Sequence, residues 1–197
     1  MVGIRAKDHD EKRRLILEKS AELFGDRGFH RASIAEISKA CGASKAWIFH
    51  YFPNKESILY ALLHDFFSVY NGRIREAVAK QERPEAKLKA FVSECISVLL
   101  EYRINYAVLF NELKFLPAED QRRIRLMERE SVQLLGNVLL EVNPAMKQRQ
   151  REILPTTFIV MGGLLWTYTW YDPSRSLSEE DLAELVNRMI VAGIFAA

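Results

Sequence analysis

The sequence predicts an all-α protein, and three observations carry that prediction. Apolar residues recur at i, i+3 and i+4 along most of the chain, the period of one helix face. No stretch combines two-residue alternation with turn chemistry, as a half-buried strand would. Caps and breakers fall between the periodic segments: Ser33, Gly42, Ser44, Pro53, Pro84, Pro117, Asn143-Pro144 and Ser178.

Residues 1–9 are polar, with Arg5 and Lys7, and are expected as a mobile arm, either inert or reaching phosphates or a minor groove. An amphipathic helix follows over residues 10–26. Ile16, Ser20, Leu23 and Phe24 form its apolar stripe, and Arg13, Arg14, Glu18 and Glu22 lie opposite. Gly25 and Gly28 bracket its end. Residues 32–52 then contain two short helical patterns. Ser33 and Glu36 have capping-box spacing, and Ile34 and Ile37 supply the apolar face. Gly42 stands where a helix stops in the left-handed conformation. Ser44 caps a second helix of about two turns, and Pro53 ends it and pushes Phe52 extended. Helix, glycine-containing turn, helix is the helix-turn-helix pattern, whose second helix enters the major groove of DNA.

Asn54 caps a long helix over 55–80, with Ile58, Leu59, Leu62, Leu63, Phe66, Phe67 and Tyr70 as its stripe. Helices are expected at 85–102, 105–115 and 118–142, then at 146–170 with Pro155 as a kink. Ser178, with Asp181 three residues on, caps the last one. The expected division is a three-helix head, residues 1–53, and a helical effector-binding and dimerisation body, residues 54–197. The 55–80 helix belongs to both parts and is the expected lever between them.

The chain is 49% hydrophobic, enough for a substantial core, and carries a formal charge of only +2. Residues 1–55 hold 11 basic and 7 acidic residues, against 17 and 19 in the remainder, so the head is mildly basic. Cys41 and Cys95 lie in apolar helical patterns without a CxxC partner, as buried thiols do. No apolar signal region follows the N-terminal charges, and the longest apolar run, 158–166, is too short for a bilayer; a soluble, cytoplasmic protein is expected. The four histidines are scattered. No metal pair, glycine-rich phosphate loop or nucleophile elbow is present, so neither an enzyme nor a bound cofactor is expected.

Residues 16–59 resemble the N-terminal domain of the TetR family of transcriptional regulators. The ordered set is Ile16, Leu23-Phe24, Gly28-Phe29, Ser33-Ile34, Ile37, Gly42, Ser44-Lys45, His50-Tyr51-Phe52 and Lys55. The resemblance implies a homodimer that binds a palindromic operator through the head and a small effector through the body. Repression relieved by the effector is the family default. In such a head Ser44 caps the recognition helix and Lys45 points toward the groove, where its cation suits a phosphate or the O6/N7 edge of guanine; a plain solvated lysine is the alternative. Trp47 departs from the family's small polar residue; it either packs on a thymine methyl or sugar or folds onto the head's own core. Base contacts are expected from Lys45, Ala46 and Trp47. By resemblance His50 and Tyr51 contact phosphate. Ile48, Phe49 and Phe52 are expected in the core. Lys55 opens a helix whose N-terminus favours a phosphate, and Arg31 and Ser33 flank the site.

The last helix carries Leu182, Leu185, Val186, Met189, Ile190 and Ile194, with Val191, Ala192 and Phe195 on other sides. A terminal helix apolar on more than one face needs a partner. With Gly162-Gly163, Trp166 and Trp170 on the preceding helix, it is expected to form a four-helix dimer interface. Effector-pocket candidates are aromatic and polar residues of the body helices: His64, Phe67, Phe91, Tyr102, Tyr106, Phe110, Asn111, Phe158, Trp166 and Tyr168.

A second resemblance bears on effector class. SKAWIFHYFPNKESILYALL, LFNELKFLP and TWYDPSRSLSEEDLAELV are similar to a branch of TetR-type repressors that respond to acyl-CoA thioesters, in which Trp47 is a branch feature. Arg103, Lys114, Arg122, Arg123 and Arg125 are the cations that could meet CoA phosphates, or a solvated helix face. The remaining alternative is an architectural DNA-binding protein without effector.

Overall fold

The computed structural model describes residues 2–175 and 177–196. Among them the chain is helical and has no strand. The helices are α1 (Val2–Arg27), α2 (Ile34–Ala40), α3 (Lys45–Tyr51), α4 (Lys55–Ala79), α5 (Pro84–Glu101), α6 (Arg103–Glu112), α7 (Ala118–Val142), α8 (Gln150–Trp170) and α9 (Glu179–Ala196). Short 3-10 turns lie at Leu113–Phe115 and Pro144–Gln148. The expected all-α class is the observed one.

Two boundaries differ from the sequence reading. α1 begins at Val2, so the stretch expected as an arm continues the helix; Lys12 pairs with Asp8 at 2.6 Å, one turn earlier. α8 begins at Gln150 because the Asn143 side chain caps the preceding 3-10 turn, accepting from the Ala145 N–H. Pro155 lies inside the continuous α8. No helix among the described residues is long and apolar enough to cross a membrane.

Packing divides the chain into two compact units: Met1–Phe66 with Ile104–Ile124, and Phe67–Arg103 with Arg125–Ala197. In the first, Ile16, Phe24, Phe29, Ile37, Ile48, Ile58, Leu59 and Leu62 are buried almost completely. The turn between α2 and α3 is a Schellman stop. Ala43 N–H donates to Ser38 O at 2.9 Å, Gly42 N–H donates to Lys39 O at 3.1 Å, and Gly42 has φ +64°. Arg13 ties α1 to α4 through Asp65 at 2.6 Å and lies over the Phe52 ring. The segment 104–124 returns to this unit. A Cβ at Gly25 would stand 3.2 Å from the Ile104 side chain, and the Phe115 ring lies 4.0 Å from His30 and 5.9 Å from Phe29. α6 and the 3-10 turn after it thus pack against α1 and the loop before α2, which helical periodicity alone does not specify.

In the second unit α5 is central, burying Leu88, Phe91, Val92, Cys95, Ile96, Val98 and Leu99 against α8 and α9. Arg73 bridges Glu94 and Glu101. Arg103 caps the end of α8, its guanidinium donating to the carbonyls of Tyr168 and Tyr171. Cys95 Sγ lies 3.1 Å from the Tyr70 hydroxyl, and burial pushes its thiol pKa up to about 12, more than that hydrogen bond offsets. Thiolate is the reactive form. Titration of the native protein with a chromogenic disulfide at neutral pH is therefore expected to leave Cys95 unreacted, and both thiols should react once the chain is unfolded. Rapid native labelling of Cys95, located by peptide mass, would contradict this.

Candidate nucleic-acid interface and subunit surface

α3 is seven residues long, and its cap decides its direction. Ser44 Oγ accepts from the Trp47 N–H at 3.1 Å, and the chain leaves extended at Phe52 (φ −137°) before Pro53. Ile48 and Phe52 anchor the helix in the core. That leaves Lys45, Ala46, Phe49 and His50 exposed, with Trp47 and Tyr51 half-buried. The expected edge of Lys45, Ala46 and His50 is therefore presented to solvent on one short helix.

Tyr51 is the centre of a surface aromatic group. Its ring lies 4.7 Å from His9 of α1, 5.1 Å from Trp47 and 5.2 Å from His50. Trp47 leans along the helix on Tyr51, outside the buried core. His9 entered no sequence-based site because its segment read as an arm.

Two sequence expectations need correction here. Phe49 is not core: it is 50% exposed, because Ile48 and Phe52 already fill the inward side of so short a helix. Its signal was the i+4 spacing from Lys45. Lys55 does not open outward. Its ammonium donates to Phe29 O at 2.6 Å and Ala32 O at 2.7 Å, and stands 4.3 Å from the centre of the Phe29 ring. The unpaired carbonyls of the 29–32 loop are stronger local partners for this amine than the solvent. Arg31, expected on the flank of the site, is exposed, and its Nε donates to Arg27 O at 2.6 Å, closing the end of α1.

Ser33 forms the expected reciprocal box with Glu36, at 3.2 Å and 2.9 Å. The Ser33 hydroxyl and N–H, with Arg27 beyond them, hold the Glu36 carboxyl below the usual carboxylate range. Because the folded pKa is depressed, this cap stabilises α2 above the ordinary glutamate pKa and is lost as the pH falls through the lowered value.

The second unit carries an apolar face with no covering element among the described residues. On α8, Ile159, Gly162, Gly163, Trp166 and Trp170 follow at i, i+3, i+4, i+7 and i+11, all exposed; Ile159 is 76% and Trp166 56% exposed. On α9, Leu185, Met189 and Ala192 continue such a stripe, with Met189 66% exposed. A Cβ at Gly162, Gly163 or Gly193 would meet nothing within 4 Å. Leu182, Ile190 and Ile194, expected in the subunit interface, are instead buried within their own unit, where α9 packs on α5. The helix is apolar on two sides, and the side with the larger aliphatic residues satisfies the chain's own core. Leu185 and Val186 are half-buried between the two sides.

The effector candidates differ in exposure. Phe67, Phe91 and Tyr106 are buried side chains of the packed interior. His64 is half-buried beside Asp65 and Tyr60, and Tyr102 and Tyr168 are half-buried. Phe110 and Asn111, expected in the effector pocket, are both exposed, and Asn111 Nδ2 donates to its own helix at Ala107 O. Trp166 belongs to the outward face of α8. Phe158 lines an open groove of about 960 Å³ between α7 and α8. Among the CoA-phosphate candidates, Arg103 is used as a helix cap, Arg122 and Arg123 pair with Glu119, and Lys114 lies over Phe115. No group of three or more His, Cys, Asp or Glu among the described residues could hold a metal ion.

The comparisons match this architecture. Residues 16–62 match the model described as bacterial regulatory proteins, tetR family, and residues 81–194 match the tetracyclin repressor-like C-terminal domain. An uncharacterised HTH-type transcriptional regulator, YuxN of Bacillus subtilis (strain 168), is 30% identical over 93 residues, which is 47% of this chain and 32% of that relative; the match thus spans about a third of its length. The HTH-type transcriptional repressor KstR2 of Rhodococcus jostii (strain RHA1) is 23% identical over 93% of this chain and 91% of its own. The crystal structure of AibR in complex with isovaleryl coenzyme A and operator DNA superimposes with a TM-score of 0.78 at 26% identity, covering 90% of this chain and 97% of that one.

Proposed function

Because the chain belongs to the TetR family of bacterial regulatory proteins, and is thus a ligand-responsive DNA-binding regulator of transcription, we propose that it acts as a homodimeric repressor. In this reading a palindromic operator is released when an acyl-CoA-type effector binds. The observation that carries the dimer is the exposed α8–α9 face. Two adjacent glycines permit close helix approach, and each of two tryptophans can remove about 150–250 Å² from water. A single short α3 offers few base contacts, so useful specificity needs two heads on successive major grooves, about 34–36 Å apart. The acyl-CoA class is supported by the similarity to AibR, whose complex contains isovaleryl coenzyme A.

Phosphate contacts supply most of the affinity and its salt dependence, and base contacts supply register. The proposed division of labour gives base contact to Lys45 and phosphate contact to His50. Lys45→Ala is expected to cost about 1–3 kcal/mol on the operator and to relax preference at one position. His50→Ala should weaken binding to all sequences alike and flatten the salt slope. Fluorescence anisotropy on operator and random duplexes separates the two, and identical behaviour of both variants would refute the division. Titrating acyl-CoA thioesters of increasing chain length against the protein–operator complex tests the effector. If none lowers operator affinity, the acyl-CoA reading fails.

A further inference from the structure

The groove between α7 and α8 has a construction of its own. At Gly136 the two helices approach closely: a Cβ there would stand 3.3 Å from Thr157 Oγ1. The Thr157 hydroxyl donates to Ile153 O at 2.8 Å, so it makes no polar demand on an occupant. Val132, Gly136 and Leu140 run along α7 at i, i+4 and i+8 as one apolar wall. Leu154 and Phe158, both more than half exposed, face them from α8. Arg129 lies at one end of the trough, and Lys147, on the 3-10 turn before α8, at the other. Neither cation is paired with a carboxylate of a described residue. From Arg129 to Leu140 the trough runs about 16 Å at the rise of an α-helix. Leu154 stands on a different side of α8 from Ile159, Gly163 and Trp166, and Phe158, four residues before Gly162, lies at the border between the groove and the proposed subunit face.

We propose that this groove binds a long-chain amphiphilic anion, its chain along Val132–Gly136–Leu140 and its charged group held by Arg129 or Lys147. Charge complementarity selects the occupant: an apolar floor between two unpaired cations suits a chain bearing a carboxylate or phosphate, and its volume lies within the range of small-molecule sites. The regulatory meaning of the site rests on the effector reading above. The chemistry is shared by a free fatty acid and an acyl-CoA thioester.

The test uses calorimetry on the full chain with dodecanoate, dodecanoyl-CoA, CoA alone and 1-dodecanol. Dodecanoate or its CoA thioester should bind, and the stronger of the two identifies the source of the anion. Gln133→Trp, an exposed position on the groove, should weaken binding by tenfold or more through occlusion. The double variant Arg129→Gln/Lys147→Gln should weaken the anions about tenfold, or about 1.4 kcal/mol, while leaving dodecanol within about twofold. The proposal is overturned if neither anion binds, if CoA alone binds as tightly as its thioester, if Gln133→Trp has no effect, or if the double variant weakens anion and alcohol equally. Operator affinity, measured alongside, separates the two readings. Anions that bind and respond to the groove variants without releasing operator leave the groove standing and defeat the effector reading. Anions that release operator from wild type and groove variants alike do the reverse.

Discussion

Replacing Gly163 with arginine is expected to convert the proposed dimer into a monomer and to abolish useful operator binding. Gly163 sits between Ile159 and Trp166 on the exposed face of α8, with open space where a Cβ would stand. The substitution therefore clashes with nothing inside its own unit, and arginine improves helix propensity by close to 1 kcal/mol over glycine. In a two-fold interface each copy meets its counterpart. Two arginines would thus enter a desolvated apolar seam without carboxylate partners, at several kcal/mol each. Dimer dissociation should rise by about 1,000-fold or more, or about 4 kcal/mol. Sedimentation velocity at micromolar concentration should show a monomer with unchanged helical circular dichroism. A variant that remains dimeric would remove α8 from the interface.

Lys55→Ala is expected to destabilise the head rather than remove a DNA contact. The ammonium makes two short hydrogen bonds to the carbonyls of Phe29 and Ala32 and covers the Phe29 ring. Charge-assisted hydrogen bonds contribute about 1.5–3 kcal/mol each, and a half-buried cation–π contact adds less. Their joint loss should cost about 2–4 kcal/mol after partial rehydration of the freed carbonyls. Urea unfolding followed by far-UV circular dichroism should shift to lower denaturant. DNA binding should fall through loss of folded head, with the salt slope of the remaining binding unchanged. If stability is intact and the slope drops by about one, Lys55 is a phosphate contact after all.

Much of the fold was legible because its signals are local. The capping box at Ser33–Glu36, the left-handed Gly42 and the Ser44 cap involve residues at most six apart, and all three stand as read. The site was less legible for the same reason. Phe49 reads as core by hydrophobicity, yet a seven-residue helix has room inside for only Ile48 and Phe52. Lys55 reads as a phosphate ligand by its place at a helix start, but its partners lie 23 and 26 residues earlier, where no spacing rule reaches. The groove at Gly136 was missed because a glycine within a helical pattern records nothing about the threonine it approaches.

By itself, the sequence determined the helical class, the helix-turn-helix and its polar edge, and the presence of an apolar surplus near the C-terminus. Periodicity and capping are properties of neighbouring residues, so the chain states them directly. Tertiary structure alone decided which side of α9 is inward, how 104–124 returns to the first unit, and which cations are spent. These are competitions between distant groups for the same space and hydrogen bonds. Leu182, Ile190 and Ile194 are as apolar as Met189, but only packing on α5 decides which of them is left to meet a partner.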